Sequence, residues 1–245
     1  MGKQARLHEL EQTVTLLQHK WGQRAIRPVR QLTATRPPVL STGLAPLDQA
    51  LGIGGLPRGR VTELVTAGSS GQALLLASLI RQTQRGGEAV VYVDVDQSLD
   101  LDLLARRDID LRRLYILRPH GFRHALEMTG DLLAEGGAAL IVFDRLQPLL
   151  FEDASLALLD QALRAWTPLV HSTMSTLLVL TETICLDWYP EGLGLPYFAS
   201  LRLACEGRRW RQRRRQVTGL LAEVRVLKNK LAPIGPAVEL EIPLT

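Results

Sequence analysis

Lysine is nearly missing from this chain. Of its 29 basic residues only Lys3, Lys20, Lys228 and Lys230 are lysines, and all the others are arginines. Cysteine is scarcer still. Cys185 and Cys205 stand alone, without metal-ligand spacing, which excludes a disulfide framework and argues against a zinc site. Aromatic residues make up 5% against 46% hydrophobic, the balance of an aliphatic α/β core. No run approaches the ~18 consecutive apolar residues of a membrane helix. The N-terminus, Met1 to Arg6, enters polar sequence without a secretory hydrophobic region. These absences predict a cytoplasmic protein with no membrane partner. At 245 residues there is room for one sizeable domain, not two. The net charge of +4 is mild, so where the charge sits matters more than its total.

What is present is a clear alternation. Leu7, Leu10, Val14 and Leu17 recur at helical spacing through 9–20, predicting an amphipathic helix. Arg24 to Val29 alternates as a short edge strand would, and 33–38, with Pro37-Pro38, reads as a linker. This divides the chain into an arm, 1–36, and a core, 37–245. The arm suits either self-association or simple packing. From Val61 onward, short apolar runs alternate with helical stretches. Strands are expected at 61–65, 89–95, 114–117, 138–143 and 176–181, and helices at 71–85, 122–135 and 154–172. After residue 198 three runs separated by polar turns (199–204, 220–227, 238–242) read as antiparallel hairpin strands on one sheet edge. The fold class is therefore α/β, a mainly parallel sheet flanked by helices. No internal repeat or low-complexity tail interrupts it.

The first core strand runs into Thr66-Ala67-Gly68-Ser69-Ser70-Gly71-Gln72-Ala73, a small-residue loop that opens a helix. Such loops cradle phosphates because successive backbone N–H groups and a helix N-terminus face the anion. The pattern G-x-x-x-x-G-K-[ST] requires a lysine against the β/γ-phosphates and a hydroxyl for magnesium. Here those positions are Gln72 and Ala73. The remnant is Ser69, Ser70, Gly71, Gln72 and Ala73, and a plain βα turn fits the same residues.

Upstream lies Ser41-Thr42-Gly43, then Leu47-Asp48, Leu51-Gly52 and Gly54-Gly55-Leu56-Pro57-Arg58-Gly59-Arg60. This run closely resembles that of the bacterial RecA recombinase family. Leu195 to Leu203 and Val224 to Pro233 resemble that family's strands near its C-terminal edge. The resemblance implies a RecA-like core of the P-loop NTPase type. It puts Asp144 at the Walker-B position and Asp96 at that of the glutamate that activates water. Asp100 falls where the family's aspartate faces adenine, with Leu103 in place of a stacking tyrosine. Glu182 takes the place of a γ-phosphate-sensing glutamine. Lys228 and Lys230 match two lysines that reach a neighbouring subunit's nucleotide. The arm, by the same resemblance, docks on a neighbouring subunit to build a homo-oligomer.

The departures are chemically one-sided. A lost lysine and a gained carboxylate both disfavour a triphosphate of about four negative charges. We therefore expect no catalytic residues, with Asp96 and Glu182 as remnants, no resident cofactor, and at most weak binding of ATP and magnesium. The two stretches that match the family's DNA loops, 148–153 and 185–196, are short and acidic. Positive charge collects instead in Arg208-Arg209-Trp210-Arg211-Gln212-Arg213-Arg214-Arg215, an expected hairpin tip. Phosphate binding, docking on an acidic partner, and a solvated turn all fit it. The profile resembles ImuA-type relatives of RecA, which serve SOS translesion synthesis. It implies single-stranded DNA, RecA or a translesion polymerase subunit as partners. A divergent recombinase that still binds ATP and single-stranded DNA is the alternative, and a protein-interaction module without DNA is a second.

Overall fold

In a computed structural model, residues 3–23, 26, 37–67, 71–147, 153–183, 186, 191–213 and 216–243 are described. The chain divides into two units, Met1–Arg36 and Pro37–Thr245. In the first, helix α1 runs Lys3–Trp21 and leaves Leu7, Leu10, Leu16 and Trp21 exposed. The strand expected at Arg24 to Val29 falls almost wholly outside the described residues.

The second unit opens with a clasp. Strands β1 (Val39–Leu40) and β2 (Leu56–Pro57) pair antiparallel and enclose helix α2 (Ala45–Ala50). Asp48 explains the Ser-Thr-Gly motif. Its carboxylate accepts from Ser41 Oγ at 2.6 Å, from Thr42 Oγ1 at 2.7 Å and from the Thr42 amide at 2.9 Å. Gly55 (φ +155°) lets β1 pass, since a Cβ there would sit 2.3 Å from the Leu40 carbonyl oxygen.

The main sheet and its helices follow in order. These are β3 (Arg60–Ala67), α3 (Gln72–Arg85), β4 (Val90–Asp94), α4 (Leu101–Ala105), β5 (Leu114–Leu117), α5 (Phe122–Glu135), β6 (Leu140–Leu146), α6 (Asp153–Thr173) and β7 (Thr176–Thr183). Helix α7 (Leu195–Phe198) leads to the long strands β8 (Leu201–Arg213), β9 (Gln216–Asn229) and β10 (Val238–Pro243). The eight-stranded order is β10-β9-β8-β3-β7-β6-β4-β5. From β8 to β5 neighbours are parallel, while β9 and β10 are antiparallel additions, as the alternation predicted. Two apolar layers cover the sheet. Alternate strand residues such as Leu64, Tyr92 and Val142 join α3 in one, and Val61, Val93 and Phe143 join α5 and α6 in the other. Among the described residues no helix is long and apolar enough to cross a membrane.

At the centre, between β7 and β8, strand β3 carries a fully buried charge. Glu63 accepts from Arg202 Nε of β8 at 2.5 Å and from Thr181 Oγ1 of β7 at 2.8 Å. Breaking a buried pair leaves an uncompensated ion, so Arg202→Met should cost about 3 kcal/mol in urea unfolding. Adding Glu63→Gln to that variant should return most of the loss.

Candidate functional site

Parallel strands put their carboxyl ends on one edge, where open α/β sheets hold ligands. Here that edge opens into a cavity of about 390 Å³. Its loop side is Thr66, Gly71, Gln72 and Ala73; its floor is Tyr92, Asp144, Arg145 and Glu182; Leu99, Leu103 and Trp210 wall it. Gly71 adopts φ +79° at the start of α3, and a Cβ there would lie 2.2 Å from Leu220 of β9. The glycine that opens α3 is thus kept without the loop chemistry. Ala73 has no hydroxyl, and the Gln72 carboxamide oxygen accepts from Thr66 Oγ1 at 2.9 Å.

Asp144 was expected at the end of its strand, but β6 continues two residues further, to Leu146. It is 5% exposed, and its Oδ2 accepts from the Tyr92 hydroxyl on the adjacent strand. Its Oδ1 has no hydrogen-bond partner among the described residues. Burial pushes the Asp144 carboxyl up to about 6, only partly opposed by the Tyr92 hydrogen bond and the Arg145 charge. Burial, with the Asp144 charge, raises the Tyr92 phenol as well.

Arg145 is the residue that sequence reasoning missed. Its Nε and Nη2 donate to Asp96 Oδ2 at 3.2 and 3.0 Å, and its Nη1 lies 3.0 Å from Glu182 Oε2. One guanidinium thus bridges both remnant carboxylates. A basic residue directly after the Walker-B position was the available signal. Asp96 also accepts from Ser98 Oγ at 2.7 Å. Asp94, fully buried, accepts from the amides of Ser98 and Leu99 and from Arg118 Nε. Asp100 caps α4, accepting from the Leu103 amide at 2.9 Å, while it lines the cavity.

The structure separates the remaining predicted residues into two places. Lys228 Nζ donates to the Pro196 carbonyl at 2.5 Å, and Lys230 Nζ to that of Tyr197 at 3.0 Å. Burial and the neighbouring Lys230 charge lower the Lys228 ammonium. Asn229 between them donates to Leu51 O and accepts from the amides of Leu231 and Ala232, which explains the Lys-Asn-Lys run. In the hairpin, Arg208 pairs with Glu223 at 2.8 Å and Glu206 at 3.3 Å, and Arg211 pairs with Glu241. Arg209 and Trp210 are exposed on β8, with Trp210 at the cavity, and Arg213 closes the strand. Ser69, Ser70, Arg214 and Arg215 lie outside the described residues, as does most of 148–153 and 184–190.

Residues 8–244 match the family described as RecA N-terminal domain. The chain belongs to the RecA family. Similar proteins include Protein RecA of Aquifex aeolicus, 28% identical over 95% of this chain and 73% of its own length. Protein RecA of Thermus aquaticus is 30% identical, over 95% and 75%. That of Bacteroides thetaiotaomicron is 28% identical, over 99% and 79%. The chain is accordingly a RecA-like protein of recombination and repair, built on the RecA core.

A magnesium-bound triphosphate does not fit the residues present. The lysine and hydroxyl positions are Gln72 and Ala73, and Arg145 already engages Asp96 and Glu182. Folded Asp144 holds its proton more tightly than the unfolded chain does. Its contribution to stability is therefore full below the unfolded carboxylate range and is lost as pH climbs through about 6. Asp144→Asn should remove that loss, gaining about 2 kcal/mol over wild type at pH 7.5 and little at pH 4, read by denaturant titration.

Proposed function

We propose that this chain is an accessory member of the RecA family that has given up nucleotide hydrolysis and serves DNA repair as a scaffold, in the manner of ImuA-type proteins in SOS translesion synthesis. The observation that carries this reading is the remade phosphate loop. Its glycine turn is kept while Gln72 is turned onto Thr66 and Ala73 offers nothing to a metal. Phosphoryl transfer depends almost entirely on positioning and charge stabilisation, so a loop without both groups loses the reaction as well as the grip.

The working surface in this reading is the hairpin of β8 and β9. Arg208 and Arg211 are held by glutamates, which orders them without cancelling the arginine excess of the tip. Arginine presents a fork of donors suited to phosphate, and Trp210 adds a face on which a base can stack. Single-stranded DNA is the first partner. RecA itself or a translesion polymerase subunit would be held through the core, and copies of the chain through the arm.

Two measurements test this. Titration of a fluorescent ATP analogue with magnesium should show no saturable binding below millimolar, and turnover should equal that of Asp144→Ala. Binding of labelled single-stranded DNA should weaken with salt, with a log–log slope of about −2 for three phosphate contacts. Arg209→Ala with Arg213→Ala and Arg214→Ala should flatten that slope. ATP turnover abolished by Asp144→Ala would refute the scaffold reading. A salt-insensitive response would instead favour a protein-interaction module without DNA.

A further inference from the structure

Trp210 belongs to two surfaces at once. It sits in the arginine-rich run of β8, between Arg209 and Arg211, and it also walls the crevice at the strand ends. Its cross-strand neighbour is Leu220, which packs in the α3 layer, so the two side chains share a face of the sheet. With 52% of its surface exposed, the indole lines the same cavity as Leu99 and Leu103.

The polar side of the cavity favours hydrogen-bond donors. Asp100, Asp144 and Glu182 line it with one cation, Arg145, which is itself engaged by Asp96 and Glu182. Asp144 is more than nine-tenths buried, and its Oδ1 has no hydrogen-bond partner among the described residues. An anionic group is repelled there, whereas an N–H group finds acceptors. A nucleic-acid strand lying along β8 therefore meets two environments. Arginines outside suit its phosphates, and apolar walls with acceptors inside suit a base. The volume of about 390 Å³ falls within the range of clefts that hold small ligands.

We propose that the crevice captures one base of a single-stranded DNA bound along the hairpin, stacked on Trp210 with its exocyclic amino group directed at Asp144, while the phosphates stay outside on the arginines. This is the reverse of a mononucleotide held by its phosphates on the loop, so a site that repels a triphosphate still takes a base. Thymine is the poor ligand, because carbonyl oxygens flank the one N–H of its pairing edge and would face the acids. Drawing a base out of a single strand costs little, since no pairing is lost. The proposal rests on the reading of the hairpin as a DNA-binding surface, and adds where a base goes and which bases fit.

The test titrates the full chain with two labelled oligothymidines of about 15 nucleotides, one carrying a central 2-aminopurine. The wild type should bind the second about threefold tighter or better, and should shield its fluorescence from acrylamide. The same oligomer with unsubstituted purine, which lacks the amino group, should lose most of that gain. Leu103→Trp or Ala73→Phe, filling the crevice from α4 or from α3, should bring the two affinities together and expose the probe to acrylamide. Equal binding of the two oligomers by the wild type would overturn the proposal. So would a folded blocking variant that keeps the preference, since the base would then stack on Trp210 outside the crevice. Should both blocking variants fail to fold, Trp210→Leu must remove preference and shielding, or the proposal fails. If the wild type binds neither oligomer, the DNA reading and this proposal fall together, whereas binding without preference defeats this one alone.

Discussion

The buried Glu63 carboxylate, tied to Arg202 and Thr181, is the interaction on which the arrangement of this core depends. Strand β3 is the seam where the parallel part of the sheet meets the strand that begins the antiparallel extension. Packing alone holds a strand's face but tolerates sliding, whereas an unpaired carboxylate in the interior costs several kcal/mol. One buried carboxylate therefore ties two registers at once, Glu63 opposite Val179 on β7 through Thr181 and opposite Arg202 on β8. From that register follow the approach of Gly71 to Leu220 and the reach of Trp210 to the crevice.

The crevice reverses the usual division of labour at such an edge. In a nucleotide site the protein supplies positive charge from a loop lysine and borrows more from a metal. Here the loop is neutral and the cation comes from Arg145 on strand β6, which lines the crevice. Asp96 and Glu182 are paired inside the chain before any partner arrives. The excess positive charge lies instead in the arginine-rich stretch that joins β8 to β9.

Much of the architecture was legible because it rests on local pattern. The strand at Leu114–Leu117 and the helix at Phe122–Glu135 have the bounds their apolar spacing and flanking glycines predict. The antiparallel edge was legible too, although β8 runs to Arg213, well past the expected 204, because polar residues on a solvent-facing hairpin carry no hydrophobic period. Helices α2 and α4 escaped for a different reason: each is little more than one turn, set by caps and loop contacts rather than by a stripe. At the site, Asp96, Asp144 and Glu182 could be singled out by the resemblance of their positions to those of the family's nucleotide site. Their joint bond to Arg145 could not, since it joins residues 49 positions apart in one case, and only the sheet order brings them together.

The hydrogen bond from Thr66 to Gln72 has a consequence for redesign: the loop and the acids are each engaged inside the chain, and no single substitution releases both. Putting lysine back at 72 would meet a crevice whose acids are already engaged, and freeing those acids first would meet a loop that cannot use them. A lysine-bearing loop and freed acids would therefore have to be built together.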